Sequence, residues 1–186
     1  MQKGTEMESN IILVGFMGTG KTTVGRQLAA ETGRNFYDMD VLIEEHAGMS
    51  VPDIFEQKGE KYFRELERRI LTDAVKGTDK ILAAGGGIVL NPDNVAVMKQ
   101  NGIVIALAAQ VDTLWERLKD STARPLLKGE NPREKMEQLY TQRTGLYQDA
   151  DFIVHVDGKS PSILAKEIVQ LVNYIKLFQK GSVSNR

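Results

Sequence analysis

The run Gly15-Phe16-Met17-Gly18-Thr19-Gly20-Lys21-Thr22 fits the spacing G-x-x-x-x-G-K-[ST]; before it lies an apolar run of strand length, Ile11–Val14, and its last two residues open a helix-sized segment, Lys21–Thr32. No other feature constrains the fold as much, because this spacing has a physical meaning only where a buried strand turns into a helix. Glycines let the backbone fold tightly enough for its N–H groups to converge on an anion, and the helix that follows adds the positive end of its dipole. Gly18, Thr19, Gly20, Lys21, Thr22 and Thr23 are then expected to cradle the phosphates of a nucleotide, with Lys21 reaching the β- and γ-phosphates and the Thr22 hydroxyl ligating Mg²⁺. The alternative is a glycine turn ahead of an ordinary helix.

The remaining chain carries more strand-sized apolar runs with helix-sized segments between them: Ile81–Ala84, Ile103–Leu107 and Phe152–Val156, together with the shorter Asn35–Asp38. Runs unbroken by polar residues suit strands buried on both faces, and intervening helices imply parallel βα units. The expectation is an α/β protein: a three-layer α/β/α P-loop NTPase fold with a central five-stranded parallel sheet and a mobile lid. Asn91-Pro92-Asp93 opens a helix to Gln100, and Ser160-Pro161 opens a closing helix to Phe178. Along that helix Ile163, Leu164, Ile168, Leu171, Val172 and Ile175 form an apolar stripe. The polar stretch Lys119–Asn131 has no period and is the expected lid. Residues 1–9 read as a flexible leader and 181–186 as a flexible tail. At 186 residues the chain is expected to be a single domain.

Lys plus Arg number 24 against 25 Asp plus Glu, a net charge of −1, so no global basic field draws the chain to nucleic acid or anionic lipid. No apolar run approaches the roughly 20 residues of a spanning helix. The start has no apolar stretch behind basic residues, and there is no cysteine, which excludes disulfides, thiolate metal sites and cysteine nucleophiles. A cytoplasmic location fits. The GTPase signatures Asn-Lys-x-Asp and Asp-x-x-Gly are missing, and Ile81–Ala84 runs into Gly85-Gly86-Gly87 where a motor would place an acid. A small phosphotransferase remains.

Asp38 and Asp40, two apart at the end of the second strand, are expected on one face near the phosphate loop, since ligands of open α/β sheets bind beyond the carboxyl ends of strands. One carboxylate can position metal and the other orient an attacking hydroxyl; a plain Asp-x-Asp helix cap is the alternative. Gly85-Gly86-Gly87 allows a ligand close to main chain, or marks a bulged turn. Arg64, Arg124 and Arg143, taken singly, read as surface ion-pair formers. Trp115, His46 and His155 read as packing or surface residues, since neither histidine has metal-ligand companions.

Taken together, these residues resemble the shikimate kinase family over roughly Asn10 to Leu177. The resemblance rests on the phosphate loop, Asp38-Met39-Asp40, Ile54-Phe55, Gly59-Glu60-Lys61-Tyr62-Phe63-Arg64-Glu65-Leu66-Glu67, Gly85-Gly86-Gly87, Arg124-Pro125-Leu126-Leu127, and Arg143 with Leu146-Tyr147. It implies an ATP- and Mg²⁺-dependent phosphotransferase with an alcohol acceptor, the 3-hydroxyl of shikimate, in chorismate and aromatic amino acid biosynthesis. It assigns Asp40 to the attacking hydroxyl and Asp38 to Mg²⁺. It also assigns Arg64 and Arg143 to the shikimate carboxylate, Gly85, Gly86 and Gly87 to the substrate side, and Phe55 and Phe63 to the wall behind the ring. Arg124 is the expected lid arginine over the transferring phosphate, Arg117 the arginine stacked on adenine, and Lys159 falls in the adenine loop, where many members have arginine. The family implies a monomer. The rival readings are the same fold with gluconate or a nucleoside monophosphate as acceptor, and a nucleotide-binding module without catalysis.

Overall fold

The computed structural model describes residues 9–120 and 130–183, with side chains described through Ile175. Strand β1 (Asn10–Val14) is buried at every position because it lies in the middle of the sheet, paired in parallel with β3 (Lys80–Ala83) on one side and β4 (Gly102–Ala108) on the other. β2 (Asn35–Asp38) and β5 (Phe152–His155) close the edges, giving the parallel order β2-β3-β1-β4-β5. These are the five expected strands, with ends shifted by one residue where the flanking loop begins sooner or later than the apolar run.

Between the strands run α1 (Lys21–Thr32), α2 (Met39–Ala47), α3 (Val51–Gln57), α4 (Gly59–Ala74), α5 (Pro92–Asn101), α6 (Val111–Leu118), α7 (Pro132–Thr144) and α8 (Pro161–Val183). The signals that start and stop them are local. Ser50 and Asn91 cap α3 and α5 through their side chains, and Gly33 and Gly48 take the left-handed conformation that ends α1 and α2. α8 lies against α1, and α5 against β4, so the apolar strands are covered on both faces in three layers.

At the foot of the sheet, the buried Asn10 side chain donates to the carbonyls of Val75, Gly77 and Asn101, each at 3.0 Å, and accepts from the Lys80 N–H at 3.1 Å. One amide thus ties β1 to the entries of both neighbouring strands.

Three expectations are corrected. The closing helix does not stop at Phe178 but continues to Val183, into what reads as tail, so helix covers residues 181–183. Its apolar stripe is narrower than the sequence implies: Leu164, Ile168 and Val172 are buried, while Ile163 in the first turn is 54% exposed, on the outer side of the helix from its buried neighbour Leu164. Asp40 does not belong to the second strand. The chain enters α2 at Met39, so the one-face rule for strands does not operate there. The proposed lid at 119–131 falls largely, and the leader almost wholly, outside the described residues.

Candidate active site

The phosphate loop leaves β1 as the motif requires. Gly15, Gly18 and Gly20 have φ of 143°, 82° and 90°, a region that side chains disfavour. Gly20 is the residue ahead of α1 and offers no side-chain cap, which leaves the first N–H groups of that helix without an intrahelical partner. Inside the loop the buried Thr19 hydroxyl donates to Phe16 O at 2.8 Å. The Lys21 ammonium reaches across the loop to Gly15 O and Phe16 O at 2.9 and 3.1 Å. Orphan amides, a helix N-terminus and an ammonium converge on one spot, which is the donor set a polyphosphate needs.

The two aspartates meet this loop by different routes. Asp38 ends β2 and caps α2: its Oδ1 accepts the Asp40 N–H at 3.0 Å, while its Oδ2 accepts the Thr22 hydroxyl at 2.6 Å. The capping alternative is therefore real, and it coexists with contact to the phosphate loop. Asp40 sits in the first turn of α2. Both carboxylates line a cavity of about 230 Å³ with Lys21, Thr22, Thr23 and the stretch Ala84–Gly86. A hydroxyl and a carboxylate already paired at the phosphate site suit a hard cation such as Mg²⁺, which prefers oxygen ligands and takes the rest from phosphates and water. Among the described residues no group of three or more potential metal ligands occurs.

The triple glycine, expected on the acceptor side, follows β3. None of Gly85, Gly86 and Gly87 has positive φ, so a left-handed turn is not what demands glycine here. Close approach is. A Cβ on Gly85 would lie 2.7 Å from Glu67 Oε1 and 3.5 Å from Asp40 Oδ1; on Gly86, 3.1 Å from Met17 N; on Gly87, 2.5 Å from an Arg64 guanidinium nitrogen. Arg64 itself projects from α4, pairs with Glu67 at 2.8 Å and Glu60 at 3.1 Å, and lies over the Phe63 ring with its carbon 5.1 Å from the centroid. Phe63 and Phe55 stack at 4.7 Å to form an apolar wall.

Glu67 stands in the Phe63-Arg64-x-x-Glu67 stretch of the sequence but was given no role there. It is 1% exposed, one of its oxygens holds Arg64, and the other, Oε1, has no hydrogen-bond partner among the described residues. Burial pushes its pKa above the usual carboxylate value against the pull of Arg64, with Asp40 adding a smaller push the same way. The spacing of Arg64 and Glu67, i and i+3 on a helix, was the available signal. For Arg64, burial works to lower the pKa, but Glu67 and Glu60 outweigh it and hold it above the ordinary arginine value. Arg143, in the last turn of α7, is 5% exposed and its pKa is lowered chiefly by burial. Among the described residues its guanidinium makes no ion pair.

Arg117 of α6 donates to Gly18 O at 3.0 Å, which sets its guanidinium beside the phosphate loop. The Lys159 ammonium is held by Glu167 of α8 at 2.7 Å, so it does not extend freely from its loop. Arg124 lies outside the described residues. Trp115 packs on the core with Arg133 over its ring at 6.0 Å, His155 is exposed, and His46 Nε2 contacts Arg69 at 2.8 Å. A larger cavity, about 490 Å³, lies between α2 and α4 at the β2 edge; none of the predicted site residues lines it.

The sequence profile of shikimate kinase matches residues 17–173. The chain belongs to the shikimate kinase family. The shikimate kinase of Sulfurihydrogenibium sp. is 46% identical over 160 residues, covering 86% of this chain and 95% of that one. That of Caldanaerobacter subterraneus subsp. tengcongensis is 42% identical over 168 residues, covering 90% and 97%. Among solved structures, shikimate kinase from Acinetobacter baumannii in complex with shikimate superposes with a TM-score of 0.89 at 40% identity, covering 94% of this chain and 98% of that one. The five-stranded parallel sheet and the flanking helices described above are thus the shikimate kinase fold, and the family acts with ATP and Mg²⁺.

Proposed function

We infer that this chain transfers the γ-phosphoryl group of ATP to the 3-hydroxyl of shikimate, yielding shikimate 3-phosphate and ADP for chorismate and aromatic amino acid biosynthesis. The observation that carries the reading is the meeting of Asp40, Arg64 and Glu67 at the triple glycine, on the same cavity wall as the phosphate loop. A carboxylate acceptor calls for buried guanidinium groups, and Arg64 and Arg143 supply two forks matched to bidentate pairing. Glu67 aims Arg64. Phe55 and Phe63 back the ring, and Gly85, Gly86 and Gly87 let it lie against main chain.

Asp40 takes the hydroxyl proton as the oxygen attacks phosphorus, and its place beside Gly85 sets it on the acceptor side of the cavity. Gly18, Thr19, Gly20, Thr23 and the Lys21 ammonium hold the phosphates and offset charge that develops on the leaving oxygen. Thr22 and Asp38 would hold Mg²⁺, which would supply positive charge to offset that of the phosphates. Arg117 packs along the nucleotide, with Lys159 near the adenine. Arg124, carried by a lid at 119–131, closes over the transferring group and excludes water, which would otherwise compete as acceptor. The chain acts as a cytoplasmic monomer forming one domain, with no nucleic acid or membrane partner; among the described residues no helix is long and apolar enough to cross a membrane.

An ADP-release assay with ATP, Mg²⁺ and a panel of acceptors tests this. Shikimate is the expected acceptor; turnover at background, or preference for gluconate or a nucleoside monophosphate, would overturn it.

A further inference from the structure

Tyr147 closes the stretch that begins at Arg143 and has been given no role so far, yet its hydroxyl reaches the triple glycine. It lies in the single turn of 3-10 helix Gly145–Asp149 that follows α7, is 8% exposed, and donates to Gly86 O at 2.6 Å. Burial raises the phenol's pKa above its ordinary value, which keeps the hydroxyl protonated and able to donate. The turn that carries it is itself anchored. Directly after it, the Asp151 N–H donates to Val104 O at 2.9 Å and the Asp151 carboxylate accepts the Val104 N–H at 2.8 Å, so the turn is bolted to β4. Arg143 stands four residues before Tyr147 on the same segment.

A trans peptide is planar, and its C=O and N–H point in opposite directions. Drawing the Gly86 carbonyl toward Tyr147 therefore turns the Gly87 N–H away from Tyr147. That N–H has no partner among the described residues, and Gly87 is the glycine packed against the Arg64 guanidinium. We propose that Tyr147 is a positioning residue for the acceptor: by fixing the Gly86–Gly87 peptide it presents the Gly87 N–H as a donor to an acceptor oxygen beside Arg64, and it keeps that donor in register with Arg143. The proposal rests on reading the glycine run as the acceptor side of the site.

Steady-state kinetics of Tyr147→Phe in the full chain test it, since the variant removes one oxygen and keeps the ring. The KM for shikimate is expected to rise about fivefold, the effect of one misplaced hydrogen bond. The KM for ATP and kcat are expected to stay within about a factor of two. An unchanged KM for shikimate, or an equal rise in both KM values, overturns the proposal. A second measurement needs no variant: the Gly87 amide proton of the wild-type chain is expected to shift downfield on saturation with shikimate, and an unmoved resonance also overturns it. The two readings fail separately. Absence of wild-type turnover with shikimate defeats the acceptor assignment, whereas normal turnover with a normal KM in the variant defeats only the role of Tyr147.

Discussion

Each acidic residue of the site works in a different environment, and that separates their effects on mutation. With Asp40 as the proposed base, Asp40→Asn is expected to lower kcat by about 10²- to 10⁴-fold with a much smaller change in the KM for shikimate, the loss typical of a removed general base. Arg64→Ala removes charged hydrogen bonds of about 1.5–3 kcal/mol and is expected to raise the KM for shikimate about 10- to 100-fold while largely sparing kcat. Glu67 is set apart by burial. Its folded-state pKa lies above the unfolded value, so the folded chain keeps that proton to a higher pH than the unfolded chain does. The resulting stability is fully present below the unfolded value near 4.5 and is lost as pH rises through the folded one. Denaturant titrations across that window are expected to show a pH slope in the wild type that flattens in Glu67→Gln; parallel slopes would contradict the assignment.

Whole elements carry constraints that single side chains do not. The triple glycine is a clearance, required because Glu67, the Met17 N–H and Arg64 stand where Cβ atoms would go. Gly87→Ala meets the far end of a flexible arginine, so stability is expected to change by less than about 1 kcal/mol, while the KM for shikimate rises about tenfold as Arg64 is pushed aside. Denaturation and kinetics on the same sample separate the two. The helices α6 and α7 stand on either side of residues 121–129, and Trp115 on α6 lies under Arg133 of α7. Trp115 emission is expected to change when ATP and shikimate bind together, and constant emission would argue against closure.

The same elements show what the sequence made legible. The loop from β1 into α1 was readable because local spacing and backbone geometry decide it. The strands were readable too: β1, β3 and β4 through apolar runs that reflect burial in the sheet, β5 through an apolar run at an edge, and the half-exposed β2 only through its place after the helix that Gly33 ends. Asp40 was misplaced because Asp38 can end a strand or cap a helix, and the choice depends on where Met39 is buried. Glu67 and Tyr147 stood within the quoted motifs but without a role, for another reason. Their partners, Gly85 and Gly86, are distant in sequence, and no local period encodes a contact of that kind.

At the scale of the molecule, the phosphate site stands at the C-terminal end of the central strand, and among the described residues no group of three or more His, Asp or Glu side chains is placed to hold a metal ion. Calorimetry is therefore expected to show no measurable Mg²⁺ binding to the chain alone and clear binding once nucleotide is present; tight binding without nucleotide would contradict this. Near-neutral total charge conceals a local pocket of arginine and lysine, so ligand binding is expected to depend on salt more than the net charge of −1 implies.

The central position of β1 also orders events in time. The phosphate loop leaves the ribosome before its supports do: β1 has no sheet neighbour until β3 and β4 emerge, and α1 has no covering helix until α8 has been made. Nucleotide affinity should thus be acquired late in synthesis and all at once: a nascent chain stalled before α8 would carry the complete loop and still have no rigid surface on which to hold a phosphate.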